Sequence, residues 1–226
     1  EEMKWFMQAN GNKKSCTGKP KELGGLPHEL GSTGYGVAVA TEVAAKFLKK
    51  DLKKMTYAIE GFGNVGVFAA KFLEEKGAKL VAVSDSKGCL FVKEGIDVEA
   101  LINIKEDTKS VINYPGNSGI CPEIAGAKVD ILITAAIPDF IKTKDVDKIK
   151  AKIIVEGSNI PMSEQVEELL HKKGVLIVPD FVANAGGVIS SYVEYTGGNE
   201  KKMFKLVDSK IRKNTLHVLK TAKKNK

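Results

Sequence analysis

Arginine is almost absent from this chain. Of 35 basic residues only Arg212 is not a lysine, and aromatic residues make up 7% of the 226 positions. The net charge of +7 raises nucleic acid as a partner. Base and phosphate reading relies on arginine forks and stacking rings. The lysines of KKDLKK (49–54) and KTKDVDKIKAK (142–152) are interleaved with acids and supply neither. Specific nucleic-acid binding is therefore not expected, and the lysine content reads as source genome bias or thermal adaptation.

Cysteine and histidine are also scarce. Cys16, Cys89 and Cys121 lie far apart, which argues against a disulfide framework and a zinc site and makes a reducing cytoplasm the expected compartment. His28, His171 and His217 are equally scattered, so no metal site is expected. No apolar run nears the roughly 20 residues of a membrane span. The opening EEMKWFMQAN is acidic and lacks the apolar core of a signal peptide. A chain that begins with Glu1 rather than Met is expected to be a fragment or a processed product.

What is present is a hydrophobic content of 43%, enough for one large domain or for one domain with parts of another. Residues 1–9 read as a helix end carrying Trp5, Phe6 and Met7, followed by a loop rich in Gly, Lys and Pro. Helical spacing of Val37, Ala40, Ala44, Phe47 and Leu48 predicts a helix over 33–50. Beyond it, apolar runs of strand length at 56–60, 79–84, 128–133, 152–155 and 174–178 alternate with helical patterns at 64–76, 97–104, 144–149 and 163–173. Each parallel return needs a right-handed crossover. The alternation therefore predicts an α/β fold: a Rossmann-like, doubly wound, mainly parallel sheet with helices on both faces. Residues 88–92 add a short β excursion, and 105–123 reads as a loop with a small helix. Helices over 184–196 and 200–222 close the chain.

One motif stands out. Gly61-Phe62-Gly63-Asn64-Val65-Gly66 follows a strand-like run and precedes a helical one. In that context Gly61 makes the tight turn, Gly63 lets the backbone approach a pyrophosphate and Gly66 lets the helix pack close to the strand. The helix N-terminus offers free N–H groups to the phosphates. The next strand ends on Asp85, about where an acid accepts the adenosine ribose hydroxyls. The competing reading is a glycine loop that only packs a helix on a sheet. An acid at 85 favours NAD over NADP, while Ser84, Ser86 and Lys87 beside it would suit a 2′-phosphate. The cofactor is expected to be NAD or NADP, with the acid tipping the balance to NAD. The chain then divides into a linker helix and loop (1–30), a dinucleotide-binding domain (31–200) and a C-terminal helix (201–226).

Together with GFGNVG, the stretches TGKPKELGG (17–25), GSTGYGV (31–37), EGSNIPMSEQ (156–165) and VPDFVANAGGVISSYVEY (178–195) run in order along nearly the whole chain. The chain thereby resembles the coenzyme-binding half of a glutamate dehydrogenase of the glutamate/leucine/phenylalanine/valine dehydrogenase superfamily. The resemblance implies that Thr33 contacts the nicotinamide amide and that Phe62, Gly63, Asn64 and Val65 line the pyrophosphate. Asp85, with Ser86 next to it, would meet the adenosine ribose. Ala135 and Ala136 would lie against a ribose, Asn159 near the nicotinamide ribose, and Asn184 would hold the carboxamide. Taken alone, Thr33 is equally a helix-start residue, the two alanines equally packing, Asn184 a cap and Asn159 a turn residue. Ser191, seven positions after Asn184, would bind the substrate's side-chain carboxylate, with Val188 as an apolar wall. The competing reading of Ser191 is a solvent-facing helix residue. A serine hydroxyl would lie unsatisfied against an aliphatic substrate.

The sequence also departs from the family's pattern. Pro27, His28, Glu29 and Leu30 stand where an arginine is common. So does Tyr35, and Ile160 stands where glycine or alanine is frequent. Oxidative deamination needs a lysine of lowered pKa and an aspartate for proton transfer. The family carries both in its substrate domain, in motifs not found here, so no catalytic residue is assigned to this chain. By resemblance the full-length enzyme would be a homo-oligomer, a hexamer, acting on a small-molecule amino-acid substrate, L-glutamate, which it would deaminate oxidatively to 2-oxoglutarate and ammonia. The alternatives are a domain of a leucine, phenylalanine or valine dehydrogenase, and a non-catalytic nucleotide-binding module.

Overall fold

The structure, a computed structural model, describes residues 2–116 and 123–224. Its centre is a six-stranded sheet made of β1 (Thr56–Glu60), β2 (Lys79–Asp85), β3 (Gly88–Phe91), β4 (Ile131–Thr134), β5 (Ile153–Glu156) and β6 (Leu176–Val178). The spatial order is β3-β2-β1-β4-β5-β6. Every neighbouring pair is parallel except β2 with β3, which form an antiparallel hairpin at one edge. The chain thus winds outward from β1 in one direction and from β4 in the other. That reversal opens a crevice at the carboxyl ends of these two strands, where ligands of such sheets bind. The expected doubly wound α/β fold is what is found.

The pleat sends alternate residues to opposite faces. Ile59, Ile133 and Val155 pack under α2 (Ser32–Phe47), α3 (Asn64–Glu75) and α8 (Glu200–Lys224). Ala58, Leu132 and Ile154 face the other layer, which includes Val166 and Leu170 of α5 (Glu164–Lys172). Helix α2 is buried through most of its turns, and its small residues Ala38, Ala40, Ala44 and Ala45 allow neighbouring helices to approach closely. Helix α8 buries Met203, Val207, Ile211 and Leu219 along one stripe, the four-residue spacing of an amphipathic helix on a core. Each such side chain is worth about 1.5–3 kcal/mol.

Two side-chain clusters, one aromatic and one ionic, fasten α8. Tyr35 of α2 meets Phe72 of α3 and Phe204 of α8 edge to face, with ring centres 4.9 and 5.1 Å away. The lone arginine, Arg212, holds Asp208 through Nε (3.0 Å) and Glu42 of α2 through Nη2 (2.8 Å). Lys76 reaches the same Glu42 oxygen at 3.0 Å.

Several elements depart from expectation. The pattern over 144–149 closes only a short 3-10 turn, Thr143–Asp145. The helix expected over 184–196 is found as α7 (Gly186–Tyr195), preceded by a short α6 (Asp180–Ala183) that was not expected. Helix α4 (Val98–Thr108), capped by Asp97 accepting from Ala100 N at 2.8 Å, runs into the stretch expected as a loop. The rest of that stretch has a 3-10 turn at Val111–Asn113, and 117–122 lies outside the described residues. The terminal helix α1 (Glu2–Asn10) leaves Trp5 and Phe6 exposed. Cys16 is a free thiol, but Cys89 in β3 is disulfide-bonded. The expectation of no disulfide is corrected there, because pairing is set by proximity in the fold and not by spacing in sequence. Cys121 lies outside the described residues. No helix among the described residues is long and apolar enough to cross a membrane.

Candidate functional site

The site begins where β1 stops. Gly61 has φ +89°, a conformation that L side chains rarely adopt, and a Cβ on it would lie 2.4 Å from Ala136 Cβ. A Cβ on Gly66 would lie 2.0 Å from Gly61 O, so only glycine lets the first turn of α3 sit on the end of the strand. Gly63 differs, since a Cβ there would meet nothing within 4 Å. It borders open space at the start of a twelve-residue helix with no acid in its first turn. The unpaired N–H groups of that turn, with the helix dipole behind them, form an anion seat, and the space beside Gly63 leaves room for a pyrophosphate.

Two crevices meet at this turn. The first, about 520 Å³, is lined by Gly61, Phe62, Gly63, Ser84, Asp85, Ser86 and Ala136, together with Lys105 and Lys109. Phe62 offers its backbone, its side chain being buried. Its carbonyl accepts a 2.5 Å hydrogen bond from Lys105 Nζ. Burial lowers the Lys105 pKa, and the Asp85 carboxylate works against that. Asp85 itself is turned toward the protein. Its Oδ1 accepts from Lys87 N (2.9 Å) and Ser110 Oγ (3.2 Å), and its Oδ2 from Val111 N (2.8 Å). Burial would raise its pKa, but these donors hold it below the ordinary carboxylate value. Glu60 of the same wall accepts from Ala135 N and Ala136 N, both at 3.1 Å. Burial nevertheless keeps its pKa raised.

The second crevice, about 770 Å³, is lined by Thr33, Val65, Ala135, Asn159, Asn184, Val188 and Ser191, and shares Ala136 with the first. Asn184 Nδ2 donates to Asn159 Oδ1 at 2.7 Å, pairing two amides from different elements. Asn159 is presented by a tight loop. Ile160 sits at φ +48°, its N–H bound to Asp180 Oδ2 at 2.8 Å. Asp180 N in turn donates to Glu156 Oε2 at 3.0 Å. Burial, reinforced by Glu167, pushes the Glu156 carboxyl up to about 8. Its Oε1 is a buried atom without a hydrogen-bond partner among the described residues.

Ser191 stands on α7 with its Oγ 3.1 Å from Thr17 Oγ1. The loop carrying Thr17 is fixed by Glu194, one turn further along α7. Glu194 Oε2 accepts from Gly18 N (2.9 Å) and Leu26 N (2.8 Å), and Oε1 pairs with the buried Lys19. Burial would raise the Glu194 pKa, and these partners hold it low.

Of the residues singled out from sequence, all but two line one crevice or the other. Asn64 instead turns its amide to His28 O (3.3 Å), and Gly66 serves packing alone. Sequence reasoning missed Thr17, Glu60, Lys105 and Lys109. Glu60 directly precedes the glycine turn, which was its available signal, while the two lysines gave none.

The family model for glutamate/leucine/phenylalanine/valine dehydrogenase matches residues 24–226. A glutamate dehydrogenase of Aeropyrum pernix is 46% identical over 99% of this chain and 56% of its own length. An NADP-specific glutamate dehydrogenase of Saccharolobus shibatae is 46% identical over 79% of this chain and 43% of its own. Among solved structures, the hetero-hexameric glutamate dehydrogenase of Thermus thermophilus, in its leucine-bound form, superposes with a TM-score of 0.87. It is 26% identical over 98% of this chain and 55% of that one. The glutamate dehydrogenase of Peptoniphilus asaccharolyticus gives 0.76 at 29% identity, over 93% of this chain and 53% of that one. The chain spans about half the length of the curated relatives it matches.

Proposed function

Because the chain belongs to the glutamate/leucine/phenylalanine/valine dehydrogenase family, we propose that it binds the nicotinamide dinucleotide of a glutamate dehydrogenase. The enzyme would interconvert L-glutamate with 2-oxoglutarate and ammonia. The observation that carries this reading is the continuity of the two crevices through Ala136, from the glycine turn at one end to a serine–threonine hydroxyl pair at the other.

Each residue then has a physical task. The N–H groups opening α3 bind the pyrophosphate, and Gly63 keeps their approach clear. Ala135 and Ala136, held by Glu60 through their own N–H groups, present only methyl groups to the sugar. Asn184, oriented by Asn159, and Thr33 at the head of α2 offer donor and acceptor to the carboxamide. When bound, the nicotinamide supplies the hydride acceptor. Ser191, backed by Thr17, receives the substrate's side-chain carboxylate, and Val188 walls the pocket. A hydroxyl pair suits a carboxylate better than an aliphatic side chain, which favours glutamate over the leucine-type substrates of the family.

The lysine and aspartate that move protons are assigned to a part of the enzyme outside this chain, which alone is inactive. The full-length enzyme is read as a homo-oligomer. Calorimetric titration of the purified chain with NAD and NADP tests the reading: binding is expected without any glutamate-dependent reduction of either nucleotide. No binding at millimolar concentration, or turnover by the chain alone, would refute it.

A further inference from the structure

Resting on the dinucleotide reading, we infer that Glu156 is the positioning residue for the amide pair at the nicotinamide end. As a neutral acid it holds Asp180, and through Asp180 both Asn159 and Asn184. As a carboxylate it lets them go.

Glu156 ends β5, is 1% exposed and lines neither crevice, so it can act on a ligand only through its neighbours. Its Oε2 accepts from Asp180 N at 3.0 Å. Asp180 in turn grips both amide residues. Its Oδ2 accepts from Ile160 N, directly after Asn159, at 2.8 Å, and its carbonyl accepts from Asn184 N at 2.9 Å. Asn184 Nδ2 then closes the circuit on Asn159 Oδ1 at 2.7 Å. The Ile160 bond also restrains a β-branched residue at φ +48°, a conformation it disfavours. Once that bond weakens, the loop relaxes and Asn159 leaves its partner.

The surroundings of Glu156 favour the proton. Its Oε1 is buried and unpartnered among the described residues, a costly place for a bare carboxylate oxygen. The charges that act on it, Glu167 of α5 and Asp180 of α6, are both negative, and Glu164 adds to Glu167. The other elements around it bring uncharged groups. β4 sets Thr134 beside it in register, α2 approaches this strand end through Val37, and β6 through Val178. The one N–H of Asp180 is too little to hold a buried carboxylate against two like charges. The carboxyl is therefore neutral below about pH 8 and ionised above it. Ionisation sets like charges side by side, and Asp180 moves away with the loop it holds.

The test is calorimetric titration of the chain from pH 7 to pH 9 with NADH, whose ring is uncharged, and with ADP-ribose, which lacks the ring. NADPH and 2′-phospho-ADP-ribose form the same comparison if the phosphorylated nucleotide binds more tightly. One proton leaving with a midpoint of about 8 should lower NADH affinity about tenfold across this range, and that of ADP-ribose less than about twofold. Glu156→Gln keeps shape and neutrality, so it should retain the affinity of pH 7 and lose the fall. Glu167→Gln removes one facing charge and should move the midpoint to lower pH, a readout that stands even if the variant at 156 does not fold. Parallel profiles for the two ligands would overturn the inference. So would a Glu156→Gln profile that falls like the wild type, or an unmoved midpoint in Glu167→Gln. Failure of every ligand to bind at any pH would instead sink the dinucleotide reading itself.

Discussion

Ser191 Oγ lies 3.1 Å from Thr17 Oγ1, although 174 positions separate the two residues. The contact brings the lysine-rich loop before α2 onto the face of α7 that lines the second crevice. If the pair receives a substrate carboxylate, Ser191→Val in the full-length enzyme removes a hydrogen bond to a charge. We expect kcat/KM for glutamate to fall by about 1.5–3 kcal/mol, with the value for leucine falling less or rising. Steady-state kinetics on both substrates check this, and an equal loss on both would count against a carboxylate site.

The two glycines of the turn separate folding from binding. Gly66→Ala puts a methyl group 2.0 Å from Gly61 O. We expect a loss of a few kcal/mol, of the order of overpacking a core, read as a lower urea midpoint. Gly63→Ala meets no protein atom within 4 Å, so its melting temperature should hold while nucleotide affinity falls. A destabilised Gly63→Ala with intact affinity would contradict the cradle.

Stability should depend on pH through Glu156. Its native pKa of about 8 exceeds the ordinary carboxyl value of 4.5, so between these values the native state holds a proton that the unfolded chain has released. The contribution is complete below about 4.5 and is lost as pH rises toward 8, at no more than about 1.4 kcal/mol per pH unit for one proton. Urea denaturation of wild type and Glu156→Gln from pH 5 to pH 8 should show the variant gaining relative stability with pH. Parallel curves would rule out the titration.

Arg212 joins α8 to α2 through Asp208 and Glu42. The arrangement depends on the guanidinium fork, which lysine cannot reproduce. Arg212→Lys should therefore lose most of what Arg212→Met loses. With the side chain 34% exposed, that loss should be about 1 kcal/mol, at the upper end for partly solvated pairs. Thermal melts at low and high salt measure it.

Ile160 occupies the left-handed region at φ +48° with its side chain exposed. A β-branched residue is strained there at a cost of order 1–3 kcal/mol. Replacement by glycine should stabilise the chain by about 1 kcal/mol, read as a higher urea midpoint, and an unchanged or lower midpoint would argue against strain.

How far the sequence could be read follows from the range of each interaction. The glycine turn was legible because its causes are local: a strand, a positive φ and a close approach, all within six residues. The strands were legible because parallel pairing buries both faces and leaves apolar runs. The Thr17–Ser191 contact, the inward turn of Asp85 and the arrival of Lys105 at Phe62 were not. Each depends on residues between about 25 and 174 positions apart, brought together only by the crossovers. The close seating of α7 on α2 was hidden for a similar reason. A Cβ on Gly186 would lie 2.1 Å from Ser32 O, so that position answers to a neighbouring helix more than 150 residues earlier.

The loop held by Glu194 has a consequence in time. Gly18 and Leu26 find their acceptor 176 and 168 positions later, so their N–H groups have no native partner until α7 exists. A chain made from its N-terminus must therefore carry this loop unfastened through the synthesis of the whole sheet. Closing so long a loop is entropically costly, which places the docking among the last steps of folding. The amide protons of Gly18 and Leu26 should then be among the later ones to gain protection in a pulsed hydrogen-exchange refolding experiment, after those of β1 and β4.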